Sequence, residues 1–189
     1  AFVNVGAISG RLMSAGSITH EAGLICELVE VVGVNRRTPL EPLDALGPDR
    51  VFGVSMPSKY SSEHSRSDAD VSAVRLGIHL RTESIEPYVA AYESGLGLSG
   101  LAAENLQARM RGVILMGLSN AEGHLTLTTG NKTELAVGYS TIYGDSVGGF
   151  APIKDVAKTL VWQLAKWRNA IAVEQGLTPP IPENSISKP

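Results

Sequence analysis

Between residues 44 and 169 short apolar runs alternate with helix-length amphipathic segments, and this alternation limits the chain more than any other feature. Residues 50–56 (RVFGVSM) form an apolar run closed by Pro57, as a buried strand would be. Residues 67–76 read as a helix, with Ser67 as N-cap and Gly77 just past its end. Residues 78–82 predict a second strand and 86–94 a short helix. Residues 102–118 give the clearest helix, with Leu106, Met110, Val113, Ile114 and Gly117 at helical spacing on one face. Residues 124–128 (HLTLT) predict a third strand. Residues 155–168 predict a last helix, whose inner face carries Val156, Leu160, Leu164 and Trp167. Short strands alternating with helices imply an α/β fold around a mainly parallel sheet. Ligands of such sheets lie beyond the carboxyl ends of the strands, which directs attention to the loops after Met56 and Thr128.

The flanks read differently. Residues 24–32 (LICELVEVV) are densely apolar and fit a strand or a short buried helix equally well. Pro39 and Pro42 then argue against a continuous helix. Residues 170–189 end in TPPIPENSISKP, a composition suited to an extended arm or linker that buries little surface. With 16 basic against 19 acidic side chains, the chain lacks the positive excess that binding to a nucleic-acid backbone normally requires. Cys26 is the single cysteine, so there is no intrachain disulfide and no cysteine-based zinc site. His20, His64, His79 and His124 show no metal-ligand spacing. No signal peptide or run of about 20 apolar residues is evident, and a cytoplasmic protein is expected.

Four segments could carry chemistry. Thr128-Thr129-Gly130-Asn131-Lys132-Thr133-Glu134 follows a strand and opens a helix, a geometry that offers backbone N–H groups to an anion. Thr129 could donate to a phosphate or ribose, and Glu134 could supply an oxygen to Mg²⁺. The commoner alternative is a tight turn in which Glu134 stabilises the helix N-terminus. Asn105 and Arg109 lie four apart on one helix, an amide beside a guanidinium that suits carboxylate and phosphate groups. A solvated helix face with a Glu–Arg pair is the plainer reading. Residues 139–152 (YSTIYGDSVGGFAP) set Asp145 among three glycines, as a ligand-approach loop or a long turn would. Lys158, on the following helix, could reach a phosphate or simply face solvent. Residues 56–65 (MPSKYSSEHS) stand where an adenosine would lie in a nucleotide-binding sheet, or form an ordinary polar loop. Neither a G-x-S-x-G elbow nor a Walker-A loop occurs.

In this order, MPSKYSSEHS, LGLSGLAAENLQARMRG, TTGNKTELAVGYSTIYGDSVGGFAPIKDVAKTLVW and TPPIPENSISKP resemble the synthetase domain of glutamine-dependent NAD synthetase, from Asp44 to the C-terminus. The resemblance implies a Rossmann-like parallel sheet of the adenine-nucleotide pyrophosphatase (PP-loop) type, using ATP and Mg²⁺. It implies that the carboxylate of deamido-NAD attacks the α-phosphate of ATP, and that ammonia then displaces AMP. By position, Thr129, Lys158 and Met56 resemble ATP contacts, while Asn105, Arg109, Glu134, Ser140 and Asp145 resemble deamido-NAD contacts. Glu134 also resembles the family's acidic residue near Mg²⁺. The implied assembly is at least a homodimer, with a glutaminase domain in the full-length protein. The ENLQAR and YSTIYGD segments argue against other ligases of the same fold type.

One departure matters. The family's Ser-Gly-Gly-x-Asp-Ser loop should fall near residues 30–35, counting back from Asp44, where this chain reads EVVGVN. Ser14-Ala15-Gly16-Ser17 is the nearest imitation and stands out of that register. Residues 1–43 therefore read as an unmatched segment, of the kind a frameshift produces. Residues 44–169 form the synthetase domain and 170–189 a Pro/Ser-rich tail. Impaired activity is expected, the alternative being a non-catalytic remnant that binds nucleotide or joins other subunits.

Overall fold

A computed structural model of the chain describes residues 12–15, 48–59, 61 and 63–187. Among the described residues four strands form one sheet: β1 (Leu12–Ala15), β2 (Val51–Ser55), β3 (His79–Thr82) and β4 (Leu125–Thr128). Their spatial order is β3-β2-β1-β4, and every pairing is parallel. Six helices accompany them: α1 (Glu63–Leu76), α2 (Glu86–Leu96), α3 (Leu101–Glu122), α4 (Lys132–Val137), α5 (Lys158–Glu174) and α6 (Glu183–Ser187). The strand order steps one way from β1 to β3, then returns to the other side of β1 at β4. The order reverses between β1 and β4, and parallel sheets of this kind take ligands at the carboxyl edge beside such a reversal.

Strand β2 is covered on both sides, whereas β3 is largely exposed. Neighbouring residues of β2 point to opposite faces, yet Val51, Gly53, Val54 and Ser55 are all buried. Helices α2 and α3 cover one face, where Val54 and Met56 meet Ile85, Val89, Leu106, Met110 and Leu115. A second cluster joins Ile153, Val161 and Ala165 to Ile181 and Ile186. Helix stops follow the sequence closely: Gly77, Gly97, Gly123 and Gly138 are left-handed at the ends of α1 to α4.

Several expectations change. The segment before residue 44 contributes the central strand, since Leu12–Ala15 pairs with both β2 and β4. A four-residue strand whose hydrogen bonds all go to distant neighbours leaves no periodic signal of its own. The apolar run 24–32 and the turn at Pro39 and Pro42 lie outside the described residues. On α3 the inward residues are Leu106, Gln107, Met110 and Leu115, whereas Val113 is 60% exposed. Helix α5 begins three residues later than expected and turns Val161, Ala165 and Ala172 inward, leaving Leu160 and Trp167 exposed. The Pro/Ser-rich tail does not hang free. The Asn169 amide donates to Ile181 O at 2.9 Å and accepts from Ile181 N at 3.0 Å. Arg75 donates to Pro179 O at 2.8 Å. Ile181 and Ile186 thereby enter the second cluster, which a composition rich in proline did not foretell.

Candidate functional site

The carboxyl end of β4 is held by the loop that precedes α5. Thr128 N–H donates to Phe150 O at 2.9 Å, and Gly149 N–H to Thr126 O at 2.8 Å. Gly148 makes this approach geometrically feasible, because a Cβ there would lie 2.7 Å from Thr128 N. Just beyond, Asn131 caps α4: its Oδ1 accepts from Glu134 N at 3.1 Å, while Glu134 Oε2 accepts from Asn131 N at 3.1 Å. This reciprocal capping box satisfies two main-chain donors at once and fixes the Glu134 carboxylate in space. Lys158 begins α5 and donates its main-chain N–H to Thr133 Oγ1 at 3.1 Å. Its Nζ faces Glu134 Oε1 at 3.9 Å. Glu134 and Lys158 thus sit at the mouths of two adjoining helices, beside the half-buried Thr129.

A second group lies between α3 and the 139–150 loop. Thr141 Oγ1 donates to Asn105 Oδ1 at 2.9 Å, and Thr141 N–H donates to Asp145 Oδ1 at 2.7 Å. Arg109 Nε donates to Ile142 O at 3.2 Å. The loop lies flat on the helix because Gly112 has no side chain; a Cβ there would stand 2.7 Å from Tyr143 O. Thr128 Oγ1, at 3.5 Å from Asp145 O, links this group to the end of β4. Asn105, Arg109 and Asp145 therefore converge around Thr141, and Ser140 stands exposed on the same loop. Met56 is placed differently. The residue is 1% exposed in the core, and its carbonyl accepts from Arg111 Nε at 3.2 Å.

Sequence reasoning passed over three residues. Asn131 was legible, because Asn-x-x-Glu after a strand is a capping-box signature. Thr141 and Arg111 were not, since their partners are 36 and 55 residues away. Among the described residues no group of three or more His, Cys, Asp or Glu side chains could hold a metal by itself. Mg²⁺ bound along with nucleotide phosphates asks the protein for only one or two carboxylates, and Glu134 is placed to supply one.

The sequence profile of the NAD synthase family matches residues 42–189. The chain belongs to that family. It is 49% identical over 152 residues to the glutamine-dependent NAD(+) synthetase of Acinetobacter baylyi, covering 77% of this chain. Against the Thermotoga maritima glutamine-dependent NAD(+) synthetase the identity is 47% over 155 residues. The match takes in 27% of the Acinetobacter baylyi protein and 26% of the Thermotoga maritima one, so the chain spans about a quarter of its curated relatives. Among solved structures, the Acinetobacter baumannii glutamine-dependent NAD+ synthetase, in complex with ADP, superposes with a TM-score of 0.80 at 40% identity. That likeness covers 96% of this chain and 32% of the other. The NH3-dependent NAD synthetase of Campylobacter jejuni superposes at 0.72 with 26% identity, over 92% and 72% of the two chains. NAD synthases of this family are carbon–nitrogen ligases, and the parallel sheet found here is theirs.

Proposed function

We propose that this chain carries the ATP-dependent amidating site of an NAD synthetase, converting deamido-NAD, ATP and ammonia to NAD, AMP and pyrophosphate. The observation that carries the reading is the convergence of Glu134 and Lys158 at the mouths of α4 and α5, at the ligand-binding edge of the sheet. The Lys158 ammonium balances phosphate charge, and Thr129 offers a short polar side chain beside it. Mg²⁺, held with the phosphates through Glu134, would neutralise charge on the leaving pyrophosphate. Across the crevice Asn105, Arg109 and Asp145, with Ser140 at the rim, fit the dinucleotide. Catalysis of this type is mostly positioning and electrostatic stabilisation, which suits side chains locked by caps and loop bonds.

After Ala15 the sequence reads Gly16-Ser17-Ile18-Thr19, without the paired glycines and aspartate of the family loop. A segment of that composition lacks the glycines and the carboxylate with which such a loop holds pyrophosphate and metal, so binding with weakened turnover is the expected behaviour of this copy. Single oxyanion-type donors are worth on the order of 10²–10³ in rate. The stripe Tyr88, Tyr92 and Leu96 on α2 is 49–66% exposed at one-turn spacing, and it fits a second copy of this chain. In the full-length protein a glutaminase domain would deliver the ammonia.

Incubation with deamido-NAD, ATP, Mg²⁺ and ammonium, scored for NAD and AMP, tests the reading. Binding of both nucleotides with turnover at least about a hundredfold below a full-length synthetase is expected. Turnover equal to the full-length enzyme would remove the proposed impairment. Absence of nucleotide binding would remove the synthetase reading for this chain.

A further inference from the structure

Arg111 is a cation that the fold itself does not explain. It projects from α3, is half buried, and donates Nε–H to Met56 O at 3.2 Å. Among the described residues no carboxylate lies within ion-pair distance of it, and the main-chain carbonyl is its one hydrogen-bond partner. Burial pulls its pKa below the ordinary arginine value. A half-buried guanidinium with four further N–H bonds to offer and no counter-ion gains the protein little stability.

Its position gives it a use. Met56 directly follows β2, and β2 adjoins β1. The register pairs Leu12 with Val51 and Met13 with Phe52, so Ala15 is level with Val54 and the Met56 carbonyl stands two residues beyond the end of β1. Neighbouring strands are about 5 Å apart, which a diphosphate easily spans. The bond from Nε to the carbonyl fixes the plane of the guanidinium and leaves its terminal nitrogens for an oxyanion. We infer that Arg111 is a ligand-binding residue, taking a phosphate oxyanion of the nucleotide that lies across the carboxyl ends of β1 and β2. The inference rests on the nucleotide-binding reading above and adds to it a second cationic pole, on the opposite side of β1 from Lys158. The oxyanion belongs either to ATP or to the diphosphate of the dinucleotide.

The test is calorimetric titration of the whole chain, wild type against Arg111→Met and Arg111→Gln. The probes are pyrophosphate, α,β-methylene-ATP and deamido-NAD. Gln can still donate to the Met56 carbonyl, so it keeps the main-chain bond while removing the charge. Both variants should bind roughly 10- to 100-fold more weakly, as loss of charge-assisted hydrogen bonds requires. A loss shared by pyrophosphate and the ATP analogue assigns the contact to ATP; a loss confined to deamido-NAD assigns it to the dinucleotide. Thermal midpoints of both variants should stay level or rise. Unchanged affinities in folded Arg111→Gln overturn the inference and leave Arg111 a structural latch, above all if Arg111→Met also melts earlier. Wild-type chain that binds none of the three probes overturns the nucleotide-binding reading itself, and the inference with it.

Discussion

Asn131 and Glu134 show how a single side chain here serves both fold and chemistry. Asn131 is 1% exposed, and its Oδ1 is engaged in the cap, while its Nδ2 is enclosed without a partner. Asn131→Ala removes the cap acceptor and should cost about 1 kcal/mol, read as a lower thermal midpoint. The same change frees Glu134 from its box, so Mg²⁺-dependent nucleotide affinity should fall with it. Glu134→Gln separates the two roles. Glutamine also serves at this position of a capping box, so the melting curve should barely move. Mg²⁺-dependent ATP binding, measured by titration with and without the metal, should be lost. Retained binding would remove Glu134 from the site and leave it as a cap alone, the commoner alternative for a glutamate after a strand.

Among the elements, the 139–150 loop and the C-terminal segment are held by contacts that their composition does not advertise. Gly112 lies mid-helix, where alanine would ordinarily favour the helix by about 1 kcal/mol. A Cβ there would stand 2.7 Å from Tyr143 O and 3.2 Å from Gly144 O, so the loop must lift. Gly112→Ala should therefore destabilise by about 1–3 kcal/mol, and limited proteolysis should cut the loop between Tyr139 and Val147 sooner. Ile181 is 1% exposed in the second core cluster. Ile181→Ala should cost about 2–5 kcal/mol and lower the thermal midpoint by on the order of 10 °C. A free linker would show no change. The type and order of the elements from β2 to α3 were legible from apolar runs and from the glycines that end α1 to α3. Ser67, however, lies inside α1 rather than at its cap, and the inner faces of α3 and α5 were only partly legible. The docking of residues 179–187 was not, because it depends on the amide of Asn169 and the guanidinium of Arg75, which lies 104 residues away.

The described residues form a four-stranded parallel sheet with flanking helices, and the chain spans about a quarter of its curated relatives. Its surface keeps apolar side chains open on α2, with Tyr88 at 50%, Tyr92 at 49% and Leu96 at 66% exposure. Sedimentation velocity should show self-association that weakens with dilution, and Tyr92→Lys should shift the chain toward monomer. A monomer at all concentrations would remove the proposed dimer.

From the sequence alone came the α/β class and the family, because alternating apolar runs and ordered motifs are local properties of a chain. The tertiary structure alone decided that Leu12–Ala15 fills the middle of the sheet, since a strand of four residues is specified by its two neighbours. It also decided that Thr141 bridges Asn105 to Asp145 and that Arg111 reaches the Met56 carbonyl at the end of β2. These depend on which groups meet across 36 or 55 residues of chain, which no local pattern records.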